Sequence, residues 1–342
     1  MIKLLERLSN EIAVSGREKA LAAMIKEEIE PYCSRVYFDK IGNLIAEKKG
    51  KKTAKNKVLV AAHVDEVGFI ITDITSGGLL RFETVGGVDS RLLSGKNVTI
   101  CTKNGLVNGV IGLVPMHLLE GDAKSAVKSA DALYIDIGVF NKADASSLVS
   151  LGDVGVLDGE FKEMGDGKII SRALDNRCGC AVLISLLKSD AEYDFTAVFT
   201  VQEEIGCRGA QVAAQSLNPD IALILDTTTA CDINGISEDN SVCNIGRCGV
   251  VSFMDRGCLY DRELYSLLLD CAKENSILVQ TKRAVAGAND SSSIHKAAGG
   301  VRCASLCLPC RYLHSGICMI DKKDLQSTFD LALKVLPRLC SL

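Results

Sequence analysis

Residues 58–62 read Val-Leu-Val-Ala-Ala with no polar position between them. An unbroken apolar run of this length marks a strand buried on both faces, whereas a half-exposed strand alternates. Similar runs recur at 197–201, 221–225 and 303–310. Between them lie stretches with apolar residues at helical spacing, at 176–189, 208–217, 260–276 and 291–298, and a last one at 321–339. Two further helices are expected in the first 33 residues. Residues 34–50 read as two short strands with a turn around Ile41-Gly42-Asn43. Strands alternating with helices predict an α/β fold, a mostly parallel sheet with helices on both faces.

The texture differs between about residue 70 and residue 171. Short apolar segments at 68–74, 79–85, 97–102, 106–114, 133–139, 153–158 and 167–171 are separated by Gly, Asn and Asp. This spacing predicts a small β-barrel or sandwich. Helical periodicity is weak here except over 122–132. The simplest organisation is an α/β domain of residues 1–70 plus 163–342, with a β domain of residues 71–162 inserted.

Composition narrows the classes. The 342 residues are 47% apolar and 24% charged, enough for a sizeable core. A net charge of −4 gives no reason to expect nucleic acid or an anionic membrane as partner. The N-terminal apolar positions are broken by charges, unlike a signal peptide, and no apolar run approaches the ~18 residues of a spanning helix. A cytoplasmic protein is expected. Most of the fifteen cysteines sit within apolar runs and read as reduced, buried, small hydrophobes. Cys307 and Cys310 have CxxC spacing, but no second CxxC accompanies them.

Ligands of open α/β sheets bind beyond the carboxyl ends of the strands. The polar residues found there are His63, Asp65 and Glu66, then Glu203 and Glu204, then Asp226, and finally His314; Asp175 precedes a helix. Imidazoles and carboxylates converging on one crevice have the composition of a metal site. The competing reading pairs the carboxylates with Arg172, Arg177 and Arg311. Asp175, Glu204 and Asp226 carry three negative charges, and one hydroxide makes four, which matches two divalent ions. Glu203 and Glu204 can face one crevice only if their strand has ended, and Gly206 suits a turn there. One of the pair can then be a ligand while the other moves the proton of a water acidified by metal. That is hydrolytic chemistry.

The segments "AAHVDEVGF", "RALDNRCG", "VQEEIGCRGA", "ILDTT" and "PCRYLHS" together resemble the M42 metallo-aminopeptidases, tetrahedral enzymes of archaea and bacteria. The resemblance implies two divalent metal ions, with Zn, Co and Mn all compatible. Asp175 would bridge them, His63 and Asp226 would complete one, and Glu204 and His314 the other. It implies Glu203 as general base and Asp65 as the residue that holds the His63 ring. It also implies peptide substrates with a free N-terminus, a β domain that forms dimers, and a dodecamer built from them. The chain departs from the family pattern at Gly316-Ile317-Cys318 and at Asn289, where a threonine is expected before Asp290. Cys178 and Cys180 are expected to pack inward, and His117 and His295 to lie outside the site.

Three rivals remain at this stage. A glycosidase needs two carboxylates ~5–9.5 Å apart across a glycosidic bond, and this chain has adjacent glutamates and no tryptophan. A different dinuclear amidohydrolase, a deacylase or carboxypeptidase, would cleave blocked substrates. A metal store or scaffold would have no use for a glutamate beside the ligands.

Overall fold

The computed structural model describes residues 1–121, 126–237 and 240–342. Helices α1 (Ile2–Asn10) and α2 (Lys19–Ile29) precede a hairpin of β1 (Arg35–Phe38) and β2 (Leu44–Lys48), then β3 (Val58–His63). The hairpin turn is held by Asp39, whose carboxylate accepts from the amides of Ile41, Gly42 and Asn43.

Next come β4 (Gly68–Ile74), β5 (Leu80–Val85), β6 (Asn97–Thr102), β7 (Gly105–Ile111), β8 (Ile135–Asp136), α3 (Lys142–Leu148) and β9 (Val154–Leu157). The six strands close into a barrel in the order β4-β5-β8-β7-β6-β9. Its interior is filled by Phe69, Ile71, Phe82, Val98, Ile100 and Ile111, with the Phe69 and Phe82 rings edge to face at 5.5 Å. A barrel, not a sandwich, is therefore formed. The helix expected over 122–132 is not found among the described residues of that span. Residues 126–129 are irregular and 130–132 form one 3₁₀ turn, while 122–125 lie outside the described residues. The barrel segment's helix is α3 instead, capped by the Asn141 side chain.

The rest of the chain comprises β10 (Lys162–Met164), β11 (Lys168–Ser171), α4 (Leu174–Lys188), β12 (Phe195–Thr200), α5 (Arg208–Leu217), β13 (Ile221–Thr229), β14 (Gly249–Val251), α6 (Arg262–Glu274), β15 (Val279–Thr281), α7 (Ser291–Ile294), β16 (Arg302–Cys310), β17 (Cys318–Asp321) and α8 (Lys322–Ser341). The segment at 167–171 becomes β11, which joins a three-stranded sheet with β10 and β17 and not the barrel. The main sheet has the order β1-β2-β12-β3-β13-β16-β14-β15. Its four central strands, β12, β3, β13 and β16, are parallel, and β2 and β14 pair antiparallel on either side. The central four are the apolar runs of the sequence, and one large core cluster packs α1, α2, α4, α6 and α8 against them. The other face is covered by α5 and α7. All fifteen cysteines are unpaired. Among the described residues no helix is long and apolar enough to cross a membrane.

Candidate metal centre

Parallel strands deliver their C-terminal ends to one edge of the sheet, and the polar residues of the sequence collect there. His63 is the last residue of β3. Asp226 lies inside β13, opposite Cys307 of β16, so that strand runs three residues past it. Asp175 opens α4 in a non-helical conformation, and helical geometry begins after Asn176. Gly179 lets this helix approach the sheet: a Cβ there would stand 2.5 Å from the Leu225 carbonyl oxygen. Asn176 donates to the same oxygen at 2.9 Å. β12 ends at Thr200, and the chain turns through Gln202 (φ 57°) and Gly206 (φ 116°). The turn frees Glu203 and Glu204 from strand alternation.

The five side chains form one continuous set of contacts. Nε2 of His63 lies 3.3 Å from Asp175 Oδ1 and 3.5 Å from Asp226 Oδ1. Nε2 of His314 lies 3.4 Å from Asp175 Oδ2 and 3.2 Å from Glu204 Oε2. Asp175 thus offers one oxygen to each imidazole. Each ring is oriented from behind by a backbone carbonyl, Asp65 O at 3.1 Å from His63 Nδ1 and Gly87 O at 2.9 Å from His314 Nδ1. Gly87 follows β5, so the barrel segment supplies part of this frame. Asp65 does more than hold the His63 ring. It accepts from Ser15 Oγ (2.6 Å) and from the amides of Glu203 and Glu204 (3.0 Å each), which ties the β12 turn to the end of β3.

This arrangement asks for cations. A carbonyl only accepts, so each Nδ1 must carry a proton, and each neutral ring then presents its Nε2 lone pair to carboxylates that also only accept. Lone pair facing lone pair is tolerable only with a positive charge between them. With protons as the sole cations the cluster recruits them. Burial opposes a charge on His63, yet Asp226, Asp175 and Asp65 hold its pKa well above the ordinary imidazole value. Burial likewise opposes charge on His314, but Asp175 and Glu204 push it up to about 12. Burial also raises Glu204 and Asp226 above the usual carboxylate range. Two imidazole nitrogens among three carboxylates are the donor set of a divalent transition-metal site, so the residues fit such ions. Thr227 lines the same cavity, and its Oγ1 is buried without a hydrogen-bond partner.

Among the described residues no arginine pairs with these carboxylates. Arg172 and Arg177 both bind Glu66, and Arg311 binds Asp232. Glu66, grouped with the strand-end acids in the sequence, belongs to that separate buried pair of arginines. Glu203 makes no ion pair with either imidazole. It lines the cavity, accepts from the Cys207 thiol at 3.4 Å and stands in a group with Asp290. Burial raises its proton affinity well above a normal glutamate's; the His63 charge opposes this, and Asp290 and Asp226 reinforce it. Asp290 itself is buried and held by Thr200 Oγ1 at 2.5 Å. Cys178 and Cys180 are fully buried, the latter donating to the His63 carbonyl at 3.1 Å. His117 is exposed on the barrel segment, and His295 bonds its own helix at Ser291 O. Residues that the sequence pattern did not single out are Ser15, Thr200, Asp255 and Lys282. Lys282 and Asp255 line the cavity, and Lys282, directly after β15, obeys the same strand-end rule as the acids.

Comparison with known proteins agrees with the geometry. Residues 42–331 match the model of the M42 glutamyl aminopeptidase family. A glutamyl aminopeptidase of Lactococcus lactis is 32% identical over 89% of this chain and 86% of its own length. A lysyl aminopeptidase of Pyrococcus furiosus is 28% identical over 98% and 97%. The TET1 peptidase of Pyrococcus horikoshii, which can assemble into a tetrahedron or a large octahedral shell, superposes with a TM-score of 0.87 at 31% identity, covering 99% of both chains. The chain belongs to the M42 aminopeptidase family and is a peptidase, a hydrolase of peptide bonds.

Proposed function

We propose that the chain is a dinuclear-metal aminopeptidase that removes N-terminal residues from peptides. The observation that carries this reading is the pair of imidazole lone pairs aimed, through shared Asp175, at three carboxylates that, among the described residues, form no ion pair with a lysine or arginine. His63 and Asp226 would hold one ion and His314 and Glu204 the other, with Asp175 between. Bound divalent ions supply Lewis acidity, polarising the scissile carbonyl and acidifying water. Glu203 takes the proton of the attacking water and returns it to the departing amine. It lines the same cavity and pairs with neither imidazole, which leaves its carboxylate free for that task. Asp65 keeps the His63 ring and the Glu203 backbone in register.

Chelation is expected to abolish cleavage of aminoacyl-amides, and Zn²⁺, Co²⁺ or Mn²⁺ to restore it at two ions per chain. Activity that survives exhaustive chelation would remove the metal from the reading. Equal cleavage of N-terminally blocked peptides would point to another amidohydrolase.

The residue 71–162 segment is proposed as the dimerisation unit, and dimers as the unit of a larger shell. Leu113, Met116 and Leu118 are more than 60% exposed on it and border an apolar hollow of about 760 Å³. Apolar surface of this kind marks protein contacts. Replacing Met116 and Leu118 together by aspartate is expected to yield smaller species in light scattering; an unchanged mass would place the contact elsewhere.

A further inference from the structure

The cavity beside the candidate metal centre, about 190 Å³, is far larger than the ~10–15 Å³ that one water requires. Besides the acids it contains a buried cation. Lys282 follows β15, and its amide donates to Val251 O of β14 at 3.0 Å, which fixes its position at the sheet edge. The residue is 6% exposed and lines the cavity. Its Nζ donates to the Ala286 carbonyl at 2.5 Å, and among the described residues no carboxylate lies within ion-pair distance of it.

An ammonium has three donors, and one is used here. A buried charge without an opposite charge is costly to keep. Asp255, which lines the same cavity, forms no ion pair with it, and its oxygens are turned to other donors. Asp255 Oδ1 accepts from the amides of Gly257 and Cys258 (2.8 Å each), and its Oδ2 accepts from Tyr260 Oη at 2.5 Å. Asn289 is also engaged, with Ser291 and Ser305. The cavity therefore offers a ligand one cation with spare donors, in the same space that Asn289 and Glu203 line.

We propose that Lys282 determines specificity, receiving the side-chain carboxylate of the substrate's first residue and selecting aspartate or glutamate there. This rests on the aminopeptidase reading. Likeness does not decide the matter, because relatives of comparable identity are named for glutamyl and for lysyl residues. The deciding feature is this chain's own lysine.

The test is a set of glutamyl-, aspartyl-, leucyl- and lysyl-p-nitroanilides with the metal-loaded enzyme. The two acidic substrates are expected to exceed the others in kcat/KM by at least about tenfold. Lys282→Met should lower kcat/KM for the acidic pair by about 100-fold, the scale for removing one partner of a buried charge pair. Leucyl cleavage should not fall in parallel with the acidic pair, because the leucyl side chain brings no carboxylate to the lysine. Lys282→Arg should retain the acidic preference, and Lys282→Glu should favour the lysyl substrate. A wild-type preference for leucyl or lysyl substrates overturns the proposal. So does an equal loss on all four substrates in Lys282→Met, which would make the lysine a support for the loop at Ala286. Failure of the loaded enzyme to cleave any of the four would instead overturn the aminopeptidase reading beneath it.

Discussion

Glu203→Gln is expected to lower turnover by about 10²–10⁴-fold, the usual contribution of a positioned general base, with metal content and assembly unchanged. Glutamine preserves shape but cannot take a proton. The backbone amide of residue 203 would still donate to Asp65, and the imidazole–carboxylate contacts do not involve this side chain. The loss should therefore appear in kcat while metal analysis still finds two ions per chain. Wild-type turnover in this variant would assign the proton transfer to another group. A loss of metal along with turnover would make Glu203 a ligand.

Glu66→Ala should be the most destabilising single substitution near the site. The Glu66 carboxylate accepts from Arg172 Nη1 at 2.6 Å, Arg177 Nη2 at 2.9 Å and the Ala13 amide at 2.9 Å, and all three side chains of the ion pair are buried. Arg177 also reaches Leu8 O, Glu11 O and Val64 O, so it fastens the end of α1 to the residue after His63. Removing the glutamate leaves two guanidinium groups buried without a counter-charge, at a cost of about 3–5 kcal/mol. Urea unfolding should show a lower midpoint, with Glu66→Gln, which retains an acceptor, falling between the variant and the wild type. An unchanged midpoint for Glu66→Ala would mean that water relieves the arginines. The same geometry explains why these arginines do not pair with Asp175, Glu204 or Asp226: Glu66 occupies them.

Much of the α/β framework and most of the candidate site were legible in the sequence. Burial on both faces leaves no polar position in a strand, so β3, β12, β13 and β16 announce themselves as apolar runs. Where such a run stops, the next polar side chains must lie at the sheet's edge, which is how the sequence alone groups His63, Glu203, Glu204 and His314. Short elements had no such signature. α3 buries only Ala145 and shows no apolar stripe, and β14, with three residues, is too brief for a period to register.

Other features depend on contacts between segments far apart in the chain. The Gly87 carbonyl that orients His314 lies 227 residues away from it, and Glu66 is matched to arginines more than 100 residues distant. Periodicity reports which face of an element is buried, because that is a local property. Which partner fills each hydrogen bond, which arginine meets which acid and whether Lys282 faces the cavity follow from strand order and register, and only the folded chain sets those.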